Sequence, residues 1–278
     1  SLMLPEGFVF SQSSLQDYQD CPRRFQLRYL QHRRWPAPET ADALRFEHYM
    51  QQGYAFHRLM RQLHSGVAAE ALGAAVASDP DLAGWWANYL ASPPRDLPQD
   101  VCEAEVMLST GLAGNRLEAR YDLLVGRPAE RWVIVDWKTS RHRLSRSWLH
   151  QRLQTRIYPL VLVSAGTQLN GGEPVVAEHV EMLYWFAEFP AQAERFVYSA
   201  SALAADTALL EGMIREITER GEDEFAKTEN RGLCRYCVYR SLCWDDIEAG
   251  MLAEVDDIED LEADLEEIDL EAIAPIPF

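Results

Sequence analysis

The sequence predicts an α/β sandwich, a central mixed β-sheet flanked by helices, and three observations predict it. Residues 117–138 read LEARYDLLVGRPAERWVIVDWK. Two apolar, β-branched runs flank Gly126-Arg127-Pro128, the pattern of a hairpin. Further strand-like runs cover 101–109 and 179–186. Helical periodicity covers 47–64, 145–164 and 202–219, so strands alternate with helices and layers of helix on sheet follow.

The elements follow in order. Ser11, Ser13 and Ser14 are candidate N-caps for a helix carrying Leu15 and Tyr18 on one face. Cys21-Pro22 interrupts it, and proline at a new first turn restarts a helix through Phe25 and Tyr29. Met50, Tyr54, His57 and Arg61 share a face of the next helix. A single inward histidine there reads as a hydrogen-bonded core group. Residues 65–100 are alanine-rich, broken by Asp79-Pro80 and Pro93-Pro94, and read as a small helical insertion. Gly111, Gly114 and Asn115 mark the turn into the hairpin. In 145–164, Gln154 and Tyr158 stand four apart, able to look back at the strand ends.

Composition narrows the function. Hydrophobic content of 47% and 278 residues fit one globular domain with appendages. No apolar run of ~18 residues occurs, so no membrane span is expected. No charged-then-apolar leader occurs either, and a cytoplasmic protein is the expectation. There is no P-loop, dinucleotide fingerprint or internal repeat. The net charge of −18 is concentrated in the last 34 residues, which hold 14 acidic groups and no basic one. Arginines cluster at 23, 24, 28, 33 and 34, and at 141, 143, 146, 152 and 156. Such clusters can track a phosphate backbone, although ordinary surface charge accounts for clustering alone.

On an alternating strand Ile134, Asp136 and Lys138 share one face while Val133, Val135 and Trp137 share the other. Asp136 and Lys138 then stand together at a strand end, with Asp122 on the partner strand. Two carboxylates and an ammonium can hold a hard divalent cation, Mg²⁺ or Mn²⁺, beside a phosphate. Of 26 basic residues only Lys138 and Lys227 are lysine. A compact point charge beside Asp136 is chemistry that arginine does not reproduce.

Five cysteines occur. Cys234, Cys237 and Cys243 are separated by two and five residues, a compact three-ligand set. Cys21, exposed at a helix break, is the candidate fourth ligand, and Cys102 in a strand pattern reads as core. Four thiolates suit Zn²⁺ and an iron–sulfur cluster equally.

Together these motifs resemble the RecB-like branch of the PD-(D/E)xK nuclease superfamily. The resemblance is nearest to members with a [4Fe–4S] cluster, such as the nuclease domain of AddB helicase–nucleases and the CRISPR adaptation nucleases. It covers most of residues 10–244. Ser11 to Phe25 is similar to the family's opening helix with its first cluster cysteine. Gly53-Tyr-Ala-Phe-His57 is similar to its histidine motif, and Tyr121-Asp122 with Asp136-Trp-Lys138 to its catalytic core. Gln154-Thr-Arg-Ile-Tyr158 resembles the branch-specific helix motif.

The resemblance implies a restriction-endonuclease-like core in a nuclease domain over 1–244, ending in a cluster-binding segment. It implies Mg²⁺ or Mn²⁺ held by His57, Asp122, Asp136 and the Trp137 carbonyl. Lys138 would position water, and Gln154 and Tyr158 would orient the site or the strand. Cys21, Cys234, Cys237 and Cys243 would hold the cluster. The expected activity is exonuclease hydrolysis of single-stranded or end-processed DNA in repair, recombination or CRISPR adaptation. The expected partners are DNA and a helicase or adaptation protein, with no membrane. A DNA-binding module without catalysis and a structural zinc protein are the alternatives.

Residues 245–278 depart from that pattern. Val255, Ile258, Leu261, Leu265 and Ile268 form one apolar stripe on an otherwise acidic helix. The tail reads as a solvated segment, a partner-binding helix, or a competitor for the DNA groove.

Overall fold

The structure, a computed structural model, describes residues 4–33, 41–235 and 237–244, with 41–47 as backbone only. The acidic tail over 245–278 lies outside the described residues. Among the described residues, six strands form one mixed sheet: β1 (Val9–Phe10), β2 (Val101–Leu112), β3 (Asn115–Arg127), β4 (Arg131–Lys138), β5 (Val180–Phe186) and β6 (Glu194–Val197). The order is β1-β3-β4-β5-β6, with β2 also paired to β3. β1 with β3 and β4 with β5 are parallel; the other pairs are antiparallel.

The helices are α1 (Gln12–Asp20), α2 (Pro22–Phe25), α3 (Ala41–His64), α4 (Ala69–Val76), α5 (Pro80–Ala91), α6 (Arg146–Gln151), α7 (Leu153–Ala165), α8 (Ala200–Glu219), α9 (Arg231–Cys234) and α10 (Arg240–Cys243). They make two layers. One face of the sheet packs Leu15, Leu153, Ile157, Leu210 and Ile214 from α1, α7 and α8. The other packs Phe56, Met60, Trp85 and Tyr89 from α3 and α5. The sheet residues divide as the alternation requires, with Ile134 on the first side and Val133, Val135 and Trp137 on the second.

The helix ends follow local chemistry. Ser11 and Ser14 form a reciprocal capping box that starts α1. Cys21 is extended, with φ −162° and ψ 105°, and Pro22 opens α2 as its first residue. Beyond Phe25 the chain winds as one π turn, Gln26–Leu30, rather than as continuing α-helix. The helix expected over 145–164 is two helices, because Arg152 is extended between α6 and α7.

Two further expectations are revised. The hairpin turn lies at 128–130 rather than 126–128, with Ala129 at φ +64°. Cys102 is exposed on β2 rather than in the core. Within residues 65–100, read as a small helical insertion, lie α4 and α5, and α5 packs into a core layer. Its Tyr89 meets Trp185 edge-on at 5.6 Å, Phe56 stacks on Trp185 at 6.0 Å, and Trp137 meets Trp185 at 5.8 Å. Burying a side chain such as Phe56 contributes about 1.5–3 kcal/mol.

Gly126 faces Trp132 across the β3–β4 ladder. A Cβ there would meet the indole Cε3 at 2.2 Å, so the glycine makes room for the ring. Gly126→Ala is expected to cost about 1–3 kcal/mol through overpacking, seen as a lower urea midpoint. An unchanged midpoint would show that the Trp132 ring has another place to go.

Candidate active site

The site forms where two strands part. β3 and β4 pair from Arg127–Arg131 as far as Leu123–Val135 and no further. β3 also inverts its faces there: Leu117, Ala119 and Tyr121 point to the α7 side, but Leu123 and Val125 point to the α3 side. On a regular strand these odd-numbered residues would share one face. The opposite residue on β2, Glu105, has φ +52°, a left-handed conformation uncommon for a side-chain-bearing residue. Pairing resumes on either side, Ala104 with Leu123 and Val106 with Tyr121, so the inversion is local.

Asp122 sits in this fork. Its Oδ2 accepts from the Trp137 N–H at 2.9 Å, so the carboxylate replaces the ladder bond that the parted strands no longer make. Its Oδ1 lies 3.2 Å from Nδ1 of His57 on α3. Burial raises the carboxyl's pKa, but the charge and hydrogen bond of His57, the Trp137 N–H and the charge of Lys138 outweigh it. Asp122 therefore lies below the usual carboxylate range. The sequence expectation concerned the Trp137 carbonyl; the bond seen here uses its N–H.

Asp136 and Lys138 follow on β4, each only 2% exposed. The Lys138 ammonium lies 3.1 Å from Asp136 Oδ2 and 5.4 Å from the centre of the Tyr184 ring. Gln154, in the first turn of α7, closes the triangle: Nε2 donates to Asp136 Oδ1 at 2.7 Å, and Oε1 accepts from Lys138 Nζ at 3.1 Å. One amide thus holds both charged groups. Tyr158, one turn on, places its ring 5.2 Å from that of Tyr121, whose hydroxyl donates to the Tyr158 carbonyl. The structure therefore brings Asp136, Lys138 and Gln154 into mutual contact and joins His57 to Asp122, while the Tyr158 ring packs on that of Tyr121. Sequence reasoning missed Tyr184. Only the parallel register, Asp136 opposite Tyr184, places it beneath the lysine.

Two carboxylates and an imidazole suit a divalent cation in donor chemistry. Among the described residues no three His, Cys, Asp or Glu side chains already stand at metal-ligand spacing. Asp136 and Asp122 are engaged with protein partners instead.

Cys21, Cys234, Cys237 and Cys243 line one cavity at the junction of α1, α2, α9 and α10, and Cys102 lies elsewhere. Arg24, Tyr239 and Trp244 complete its wall. Burial pushes the Cys237 thiol up to about 11, against the pull of Arg24. Burial also raises Cys234 and Cys243, and Cys21 adds to both shifts. Independent bonds hold residues 23–33 against residues 225–239 here. Arg23 N–H donates to Ala226, Tyr239 hydroxyl to Arg33, and Phe25 stacks on Phe225 at 6.2 Å.

The arginine clusters are largely engaged within the protein. Arg24 and Arg28 bind Asp17, Arg141 binds Asp81, Arg143 and Arg146 bind Glu194, and Arg156 binds Asp206.

Removing one member of a buried ion pair strands the other. Lys138→Met is expected to lower stability by about 3–5 kcal/mol, measured by chemical denaturation. Asp136→Asn together with Lys138→Met should recover most of that loss. A single variant as stable as the parent would mean that solvent reaches Asp136.

A family model of the PD-(D/E)XK nuclease superfamily matches residues 9–244. The solved structure of SSO0001 shares 15% identity, covers 87% of this chain and 88% of its own, and has a TM-score of 0.40. A "Putative exonuclease" from Eubacterium rectale shares 13% identity, with coverage of 85% and 88% and a TM-score of 0.48. No curated protein matches. The family match spans β1 to α10 and takes in His57, Asp122, Asp136, Lys138, Gln154 and all four cavity cysteines. The chain belongs to the PD-(D/E)XK nuclease superfamily.

Proposed function

We propose that the protein is a metal-dependent deoxyribonuclease of the RecB-like branch, acting as an exonuclease on single-stranded or end-processed DNA. The observation that carries this reading is the buried triangle of Asp136, Lys138 and Gln154 beside Asp122 at the strand fork. A buried ion pair adds little to stability over an apolar replacement. Its placement where strand pairing ends favours a chemical role.

In this reading His57, Asp122, Asp136 and the Trp137 carbonyl hold Mg²⁺ or Mn²⁺. The cation, when bound, supplies Lewis-acid polarisation of a phosphate and a lower pKa for water. Lys138 orients the attacking water and stabilises charge on the phosphate. Gln154 fixes the distance between Asp136 and Lys138, and Tyr158 seats α7 against β3. Cleavage breaks a P–O bond and leaves a phosphate and a hydroxyl. Repair, recombination and CRISPR adaptation are the settings such an activity fits, alongside a helicase or adaptation protein.

The four cavity cysteines are proposed to hold a [4Fe–4S] cluster, with Zn²⁺ as the alternative. Raised thiol pKa values mean that loading releases protons. The group would staple α1 to the C-terminal helices, closing a loop of about 220 residues whose entropy opposes folding.

End-labelled single-stranded DNA should be degraded with Mn²⁺ or Mg²⁺ and spared with chelator. Asp136→Asn should lose about 10²–10³ in kcat while still binding DNA. Parental rates in that variant would sink the assignment and favour a binding module.

Anaerobically purified protein should be brown and contain iron. Cys21→Ser should bleach it and lower its melting temperature, whereas Cys102→Ser should do neither. Colourless protein with stoichiometric zinc would select the other metal. Bleaching by the Cys102 variant alone would show the ligand set to be wrong.

A further inference from the structure

We infer that Gln16 is a positioning residue for the proposed centre, acting through the first turn of α7. The inference rests on the reading of Asp136, Lys138 and Gln154 as the working groups. Gln16 lies on α1 and is 5% exposed. Its Oε1 accepts from the Leu153 N–H at 3.0 Å, a fully buried bond across 137 positions of sequence. Leu153 is the first residue of α7, and Arg152 before it offers no side-chain cap. The first N–H groups of a helix have no acceptor within the helix. Here one of them is satisfied from another element.

The amide is held at both ends. Gln16 Nε2 donates to Asp20 Oδ1 at 2.9 Å, which orients Oε1 toward Leu153. Asp20 also lies 3.9 Å from Arg152, so α1 grips both residues at which α7 begins. Gln154 is the next residue along, and its amide bridges Asp136 and Lys138.

A local serine or aspartate cap would fix the start of α7 only against its own chain. Gln16 fixes it against α1. The chain enters α1 directly from β1, which pairs with β3 at Arg116 and Leu117. β3 carries Asp122. Gln16 therefore ties the helix holding Asp136 and Lys138 to the strand holding the other carboxylate. A shift of α7's first turn would separate Gln154 from one of its two partners, since one amide cannot follow both.

The test uses the full chain, with the melting temperature of each variant measured first and kinetics run well below it. Q16M keeps the volume and removes both bonds. On end-labelled single-stranded DNA with saturating Mn²⁺, Q16M should lower kcat about 10- to 100-fold with KM within about twofold. Q16E keeps an acceptor for Leu153 and should recover most of the loss, despite the like charge of Asp20. In a Q154M background Q16M should cause no further loss, because the two act in series. A role confined to stability would lower the melting temperature and leave kcat unchanged. That result, or losses that multiply in the double variant, overturns the inference. If Q16M fails to fold, Q16N carries the same test, since it draws the acceptor back by one methylene. Parental protein that does not cleave overturns the nuclease reading and this inference with it. Cleavage that D136N abolishes and Q16M leaves unchanged overturns the Gln16 inference alone.

Discussion

The structure turns on the hydrogen bond from the Trp137 N–H to the Asp122 carboxylate. A buried backbone donor that loses its ladder partner costs free energy unless something replaces the acceptor. At the β3–β4 fork the replacement is a charged side chain. The strands can part there without an orphaned N–H. The same bond helps hold Asp122 ionised, because a donor to the charged form opposes the effect of burial. The contact therefore serves geometry, and with the larger effect of His57 it also serves the protonation state of Asp122.

The two helical layers hold the fork from opposite sides. α3 brings His57 to Asp122 from one face. α7 brings Gln154 to Asp136 and Lys138 from the other. Each helix is tightly seated. The α3 side rests on the aromatic cluster of Phe56, Trp85, Tyr89, Trp137 and Trp185, and Trp137 is itself the residue between the two charged positions. On the α7 side, Thr155 donates to the Leu149 carbonyl and lies 2.7 Å from the Tyr184 hydroxyl. Packing of this density moves in discrete steps rather than continuously, which suits side chains that must hold a fixed spacing.

Much of this was legible in the sequence, for identifiable reasons. The 117–138 hairpin has strong β-branched runs on both sides, and period-two alternation alone puts Asp136 and Lys138 on one face. Gln154 was legible as a helix residue facing the strand ends. The break at Cys21-Pro22 needed only the conformational rule for proline. The rest depended on tertiary context. β1 and β6, with two and four residues, are too short for a periodic signal. The inversion at Asp122 contradicts the alternation from which sequence reasoning works. Cys102 looked interior because its strand alternates, but β2 leaves it exposed, and nothing local records that. Arg152 carries no breaker signal, so the split between α6 and α7 was invisible; Gln16, the acceptor of the Leu153 N–H, lies far away in the chain.

The use of basic residues follows the same division between scaffold and chemistry. Arginine's planar fork suits fixed pairing with carboxylates, and the arginines are accordingly used for internal ties such as Arg24 and Arg28 on Asp17 or Arg156 on Asp206. The clusters that suggested a phosphate track are thus in large part locally neutralised. Both lysines stand at the candidate centres. Lys138 is buried at the fork. Lys227 lines the cysteine cavity, donates to the Cys243 carbonyl at 2.5 Å, and lies 4.5 Å from the Trp244 ring centre. Its charge lowers the Cys243 thiol pKa against the larger effect of burial. A compact, rotatable ammonium can follow a neighbouring group whose charge changes. A rigid guanidinium fork is better matched to a partner that never changes. The chain's two lysines thus stand at the fork and at the cysteine cavity, while the fixed internal ties are made by arginine.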